Sequence, residues 1–246
     1  MAIAAAPSIS PAEAAFFGKL ADDWWNPRGA SAMLHRITPL RAGLIRDAVV
    51  TRFGRDARSR TPLAGLSALD IGCGAGLMTE PLARMGATAT GIDAAAENIA
   101  AATAHASAGG LQIDYRATSA EALAASGTRY DVVTCLEVIE HVADRGSFVA
   151  ALAGLVAPGG LVIMSTPNRT PASWAVLIGG AEIVTRTIPR GAHDWQRFMT
   201  PAELSQALVS AGLHVNAVTG MTWRPGKGFT LGTDTSINYF VTAVPA

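Results

Sequence analysis

Residues 69–76 read LDIGCGAG and residues 91–93 read GID. Apolar residues lead into Asp70, glycines fall at 72, 74 and 76, and the helix-like LMTEPLARM follows. The expected local structure is a strand, a tight glycine turn and a helix start. Glycine serves where the backbone must take a positive φ or let a ligand approach with no Cβ in the way, so this turn is built to hold something close. Spacing narrows the ligand. A dinucleotide turn needs G-x-G-x-x-G, and its third glycine is replaced here by Leu77. No G-x-x-x-x-G-K-[ST] is present, so a triphosphate cradle is unsupported. Asp93 follows the apolar run ATATGI, at a strand end where a carboxylate can accept from two adjacent hydroxyls. The alternative is that turn and acid serve topology alone.

The chain is long enough at 246 residues for one well-cored α/β domain with additions. Its 50% apolar and 15% charged content is ordinary for a globular protein. Net charge is zero, so neither a basic surface for nucleic acid nor an acidic tail is expected. Cys73 and Cys135 form neither a disulfide framework nor a metal pattern, which fits a reducing, cytoplasmic compartment. The first twenty residues lack a basic leader and a continuous apolar region, so no secretory signal is expected. Residues 146–168 carry no charge, but Pro158-Gly159-Gly160 should break the run into a helix and a buried strand, each too short to span a bilayer.

Residues 1–66 read as a loose tail and helices packed on the core, and residues 67–246 as the main domain with an insert at 169–194. A helix is expected over 13–25, carrying Phe16, Phe17, Leu20, Trp24 and Trp25 as packing groups. In a second helix over 34–53, Ile37, Leu40, Leu44, Ile45 and Ala48 define an apolar side and leave Arg41 and Arg46 toward the other. From Ser67 five short apolar strands alternate with helices, which predicts a doubly wound, mostly parallel α/β sheet. Thr200-Pro201-Ala202-Glu203 is a capping box opening a helix. Two last strands, 213–223 and 237–246, should form an edge hairpin and bring the total to seven. In such a sheet ligands lie beyond the carboxyl ends of the strands, which aligns the turn at 72–76, Asp93, residues 117–120 with Ser119, and Glu137 along one crevice.

After the fourth strand comes CLEVIEHV, residues 135–142, with Glu137, Glu140 and His141 where a substrate should lie. Solvated loop charges are the plain reading. The chemical reading has two routes: a divalent ion, Mg²⁺ first with Zn²⁺ or another next, held by the three side chains, or His141 as general base oriented by a carboxylate. Either helps a phenol, whose reference pKa is about 10, to act as a nucleophile.

The pattern D-x-G-x-G-x-G with an acid ending the next strand resembles the class I S-adenosylmethionine-dependent methyltransferases, which implies a Rossmann-like fold and a ribose held by Asp93. LHRITPLR, LDIGCGAG, GIDAAAENI, YDVVTCLEVIEHV, PGGLVIMSTPNR and GAHDWQRFMTPAEL together resemble the O-methyltransferases of ubiquinone biosynthesis over roughly residues 16–242. That resemblance implies methyl transfer to a polyprenyl catechol or demethylubiquinol. It places Arg41 on the methionyl carboxylate, Gly72 and Asp93 on the cofactor, Leu136 beside it, and makes Glu137, Glu140 and His141 metal ligands. With the rest of the turn and crevice, the expected cofactor set is Arg41, Asp70, Gly72, Gly74, Gly76, Asp93, Ser119 and Leu136. Ala75 and Asn26 depart from the family pattern, where glycine and an acid are usual. His35, His105 and His214 receive no role, and His193 stays outside the set.

The insert 169–194 carries Trp174, Val176, Leu177, Ile178, Ile183 and Val184 between Arg169 and the pair Arg186 and Arg190. That composition suits an amphipathic contact with an anionic membrane surface, or a lid over the site, or both. The expected location is cytoplasmic and peripheral on the inner membrane, with other ubiquinone-biosynthesis proteins as further partners and no nucleic acid. The competing functions are methylation of another small molecule or a protein side chain on the same fold, and a non-catalytic cofactor-binding scaffold.

Overall fold

The alternation of short apolar strands with helices closes into a single twisted sheet. In the computed structural model, which describes residues 9, 14, 15, 18, 23–29, 31–184, 194–224 and 226–246, the strands are β1 (Ser67–Ile71), β2 (Thr88–Asp93), β3 (Asp114–Ala117), β4 (Tyr130–Leu136), β5 (Val156–Pro167), β6 (Leu213–Arg224), β7 (Gly228–Gly232) and β8 (Asn238–Pro245). The helices are α1 (Ala32–Phe53), α2 (Thr79–Arg84), α3 (Ala96–Ala108), α4 (Ala120–Ala124), α5 (Arg145–Gly154) and α6 (Pro201–Ser210). Sheet order is β3-β2-β1-β4-β5-β8-β6-β7. The first five strands run parallel, and β8 pairs antiparallel with both β5 and β6. Strand order reverses between β1 and β4, and that switch point opens the crevice.

The sheet differs from the sequence expectation by one strand. Eight strands are present among the described residues, because β6 runs on to Arg224 and turns back as β7. The last strand is therefore not an edge: β8 is threaded between β5 and β6 and buries Tyr239, Phe240 and Val241 completely. Pro158-Gly159-Gly160 also acts differently. It lies inside β5, where the register on β4 jumps from Tyr130↔Val156 to Val132↔Leu161, so the extra residues form a bulge with Gly159 at φ 77°.

Strand side chains alternate between the two faces of the sheet, and this divides the core. Val162, Met164, Tyr239 and Val241 pack with Phe148 and Leu152 of α5 and Leu204 and Leu208 of α6. Leu161, Ile163 and Phe240 pack on the opposite face with Ile37, Ile45 and Val49 of α1. Complete burial of each such side chain contributes roughly 1.5–3 kcal/mol.

Helix α1 buries Ile37, Arg41, Ile45 and Val49, a stripe in steps of four, and ends at Gly54 with φ 61°. Arg41 thus lies on the packed side and not with Arg46 on the other. Of the helix expected over 13–25, Ala14, Ala15 and Gly18 are helical, Trp24 and Trp25 sit in a turn, and Phe16, Phe17 and Leu20 fall outside the described residues. The capping box holds as read: Thr200 accepts from Glu203 N, and the Glu203 carboxylate accepts from Thr200 N.

Candidate active site

The glycine turn is pinned to the neighbouring strand by its own backbone. The N–H groups of Gly72 and Cys73 both donate to the Ile92 carbonyl, at 2.8 and 2.9 Å. Gly72 takes φ 69° against the Val138 side chain, and Gly74 takes φ 52°, conformations a side chain would strain. Asp93 closes the arrangement: it accepts from Gly74 N at 3.0 Å, Ala95 N at 2.8 Å and Asn98 Nδ2 at 3.2 Å. A carboxylate has about four acceptor positions, so capacity for a further donor remains. Burial raises the Asp93 pKa, opposed by those same three hydrogen bonds. Asp70 sits beneath the turn, with Thr79 and Thr134 donating to its two oxygens, and burial pushes its carboxyl up to about 6. It braces the base of the turn.

Gly72, Asp93, Thr118, Ser119 and Val138 line one small cavity, closed on one side by Ile9, which bridges to Val142. Ser119 opens α4 by accepting from Ala122 N. Leu136 ends β4, half-buried, and precedes Glu137 in the chain.

That next group centres on Glu137, the one non-glycine residue among those described with positive φ, at 57°. Such backbone costs of order 1–3 kcal/mol and persists where the surroundings over-determine it. Here they do: Arg41 Nη2 donates to Oε1 at 2.9 Å, Ser165 Oγ to the same oxygen at 2.5 Å, and Asn238 Nδ2 to Oε2 at 2.8 Å. The arginine Nε and the Asn238 Oδ1 are buried with no partner among the described residues. Sequence reading missed Ser165 and Asn238: Ser165 lies within the stretch PGGLVIMSTPNR but reads there only as strand, and Asn238 belongs to none of the family-like stretches. Only the buried arginine, at position 41 of the stripe 37-41-45-49, signals that a carboxylate must meet it.

Glu140 lies three residues on, in the single turn Ile139–His141, and is 2% exposed. Its Oε2 accepts from Thr166 Oγ1 at 3.0 Å, and its Oε1 has no partner among the described residues. Burial, reinforced by the Glu137 charge, pushes this carboxyl up to about 8. The expected three-ligand metal set does not assemble: no group of three His, Cys, Asp or Glu side chains among the described residues is placed to hold an ion. The pleat explains this. Ser165 and Thr166 are consecutive on β5, so they face opposite sides of the sheet, and each holds one glutamate. Glu137 is thereby drawn to the α1 face with Arg41, Glu140 to the α5 and α6 face beside Tyr239. His141 is half-buried next to Glu140.

Both cysteines are free and buried, and burial pushes their thiols up, so they are inert packing groups. His105 Nδ1 lies 2.6 Å from Glu80 Oε1, and His35 Nε2 lies 2.8 Å from the Trp24 carbonyl oxygen. In the insert, Thr170 caps the short helix Pro171–Ser173, which continues as a π-type helix over Trp174–Val184. Trp174 and Val176 are exposed. Arg169 is already engaged, pairing with Glu203 and donating to the Phe198 carbonyl. Arg186, Arg190 and His193 lie outside the described residues. No described helix is long and apolar enough to cross a membrane.

A parallel sheet with its glycine turn and a strand-end acid at the switch point defines a class I S-adenosylmethionine-dependent methyltransferase. The chain matches the methyltransferase domain family over residues 39–218. It is 49% identical to the ubiquinone biosynthesis O-methyltransferase of Azorhizobium caulinodans, covering 100% of this chain and 98% of the relative. The enzyme of the same name from Methylobacterium nodulans is 48% identical over 96% of each chain. The chain belongs to the ubiquinone biosynthesis O-methyltransferase family and is an S-adenosylmethionine-dependent O-methyltransferase. Among solved structures it shares its fold with the magnesium protoporphyrin IX methyltransferase of Synechocystis bound to SAH, at TM-score 0.62, 21% identity and 94% and 97% coverage. It is also similar to the plantazolicin methyltransferase BpumL, at TM-score 0.63, 14% identity and 95% and 96% coverage.

Proposed function

We propose that the acceptor is a hydroxyl of a polyprenylated catechol or demethylubiquinol, and that Glu137, Glu140 and His141 act on its oxygen. The observation that carries this reading is the near-half identity, along the whole chain, to relatives named for O-methylation in ubiquinone biosynthesis. Residues 1–66 and the core 67–246 work as one unit in it. The methyl donor, when bound, supplies an electrophilic methyl on a sulfonium. Asp93 would hold its ribose hydroxyls, and Arg41 would present to its methionyl carboxylate the Nε–H that has no partner among the described residues.

On the acceptor side, Glu137 is kept in one orientation by three donors and receives the substrate hydroxyl. His141 takes the hydroxyl proton as the O–CH₃ bond forms and the S–CH₃ bond breaks. The products are a methyl ether, a neutral thioether and a proton held first on the imidazole. General-base assistance of this kind is worth about 10²–10⁴ in rate. Ser165 and Thr166 hold the two carboxylates separately, and this route uses the imidazole; a divalent ion, if held by Glu137, Glu140 and His141, would supply Lewis-acid polarisation of the acceptor oxygen instead. Incubation with labelled S-adenosylmethionine and a short-prenyl catechol, with and without chelator, tests the reading by product mass. A methyl ether formed equally in both arms is expected. No methylated product sinks the substrate assignment, and loss restored only by Mg²⁺ or Zn²⁺ sinks the metal-free route.

We further propose that the enzyme works peripherally on the inner membrane through residues 169–194, since its acceptor carries a polyprenyl tail. The exposed Trp174 and Val176 support this. Arg169 is paired with Glu203 at a partly exposed position, so Arg186 and Arg190 are assigned as the main cationic groups. Sedimentation with anionic liposomes at low salt, lost on deleting 172–187 while the methyl donor still binds, is the expected result. Equal sedimentation of the deletion reduces the segment to a lid.

A further inference from the structure

Two adjacent indoles from the N-terminal segment are fastened to the methyl-donor turn, and no step above uses them. Trp24 Nε1 donates to Asn98 Oδ1 at 3.1 Å, and Asn98 Nδ2 donates in turn to Asp93 Oδ1 at 3.2 Å. Asn98 is 1% exposed, in the first turn of α3. The Trp24 ring covers Gly74 so closely that a Cβ there would meet Cη2 at 2.9 Å. Trp25 Nε1 donates to the Ala75 carbonyl at 3.0 Å, and its ring stacks on His105 with centroids 3.3 Å apart and planes 4° apart.

The chain of donors has a defined direction. An indole N–H can only donate, so the Asn98 oxygen must face Trp24, and its NH₂ group is thereby turned to Asp93. With the indole N–H removed, the buried Asn98 oxygen loses its donor and the carboxamide is held from the Asp93 side alone, so its grip on the carboxylate loosens. We propose that Trp24 is a positioning residue for the methyl donor: through Asn98 it sets Asp93, the carboxylate that receives the ribose hydroxyls, so the N-terminal segment clasps the donor site. The inference rests on the donor site alone and is independent of which hydroxyl is methylated.

The test is calorimetry of the full chain with S-adenosylhomocysteine, which binds without reacting. Trp24→Phe keeps the ring and removes the donor, and should raise Kd about three- to tenfold, the range of one neutral hydrogen bond. In turnover assays the loss should fall on KM for the methyl donor and not on kcat. Asn98→Leu, close in volume but unable to link the two groups, should weaken binding at least as much. In the double variant, Trp24→Phe should add nothing. A purely structural tryptophan predicts a lower Tm with wild-type Kd, and that result overturns the proposal. So does strict additivity of the two substitutions, or wild-type affinity in Asn98→Leu.

Discussion

The donor turn and the Glu137 cluster lie at the ends of neighbouring strands, yet they are built in opposite ways. The turn spans residues 69–76 and closes largely through backbone groups: Gly72 and Cys73 on the Ile92 carbonyl, Gly74 N on Asp93. The Glu137 carboxylate is held by side chains, from positions 96, 28 and 101 residues away in the chain. A turn made of backbone depends on which residues tolerate its φ values. A cluster made of distant side chains depends on every element being in place. The first should therefore tolerate side-chain changes around it, and the second should fail as a unit.

The largest contrast is expected from His141→Ala. Turnover should fall by about 10²–10⁴ while affinity for S-adenosylhomocysteine stays near wild type, because in the proposed mechanism the imidazole serves the acceptor oxygen. A matched loss of donor affinity in the calorimeter would merge the two regions into one. Next comes Arg41→Met, which leaves the Glu137 carboxylate without its cation. Breaking a buried pair costs roughly 3–5 kcal/mol. Ser165 and Asn238 still donate, so the low end, about 3 kcal/mol by urea denaturation, is expected. An unchanged midpoint would show that the cluster does not act as a unit.

Asp93→Ala should weaken donor binding about tenfold or more, since charge-assisted hydrogen bonds contribute roughly 1.5–3 kcal/mol each. The protein should stay folded, as the glycine turn keeps its bonds to Ile92. Unchanged affinity in the folded variant would remove Asp93 from the donor site.

The smallest effect concerns Glu140, whose carboxyl is raised from 4.5 to about 8 by burial and the Glu137 charge. The folded chain then holds a proton that the unfolded chain releases above about 4.5, so stability falls as pH rises from there toward 8. Glu140→Gln keeps a neutral side chain at every pH. It should flatten that decline by on the order of 1–2 kcal/mol between pH 6 and 8. Parallel stability curves for the two proteins would mean that Glu140 is already ionised in the native state.

By itself the sequence determined the βα alternation, the switch-point crevice, the turn with Asp93 and the capping box at Thr200, because each is a local pattern with a local physical cause. Glycines at 72, 74 and 76 state a backbone requirement, and Thr200 with Glu203 states a hydrogen-bonding one. It misplaced Arg41, since the apolar spacing of Leu40, Leu44 and Ala48 outvoted the i+4 stripe that ends up buried. It also grouped Glu137, Glu140 and His141, because they are neighbours in the chain. Only the tertiary structure decided which partners hold each carboxylate. Threading β8 between β5 and β6 brought Asn238 to Glu137, and the pleat of β5 turned Ser165 and Thr166 to opposite faces. Chain proximity sets which carboxylates can be near each other, but the partners that neutralise them, supplied by distant strands and helices, set which way each one faces.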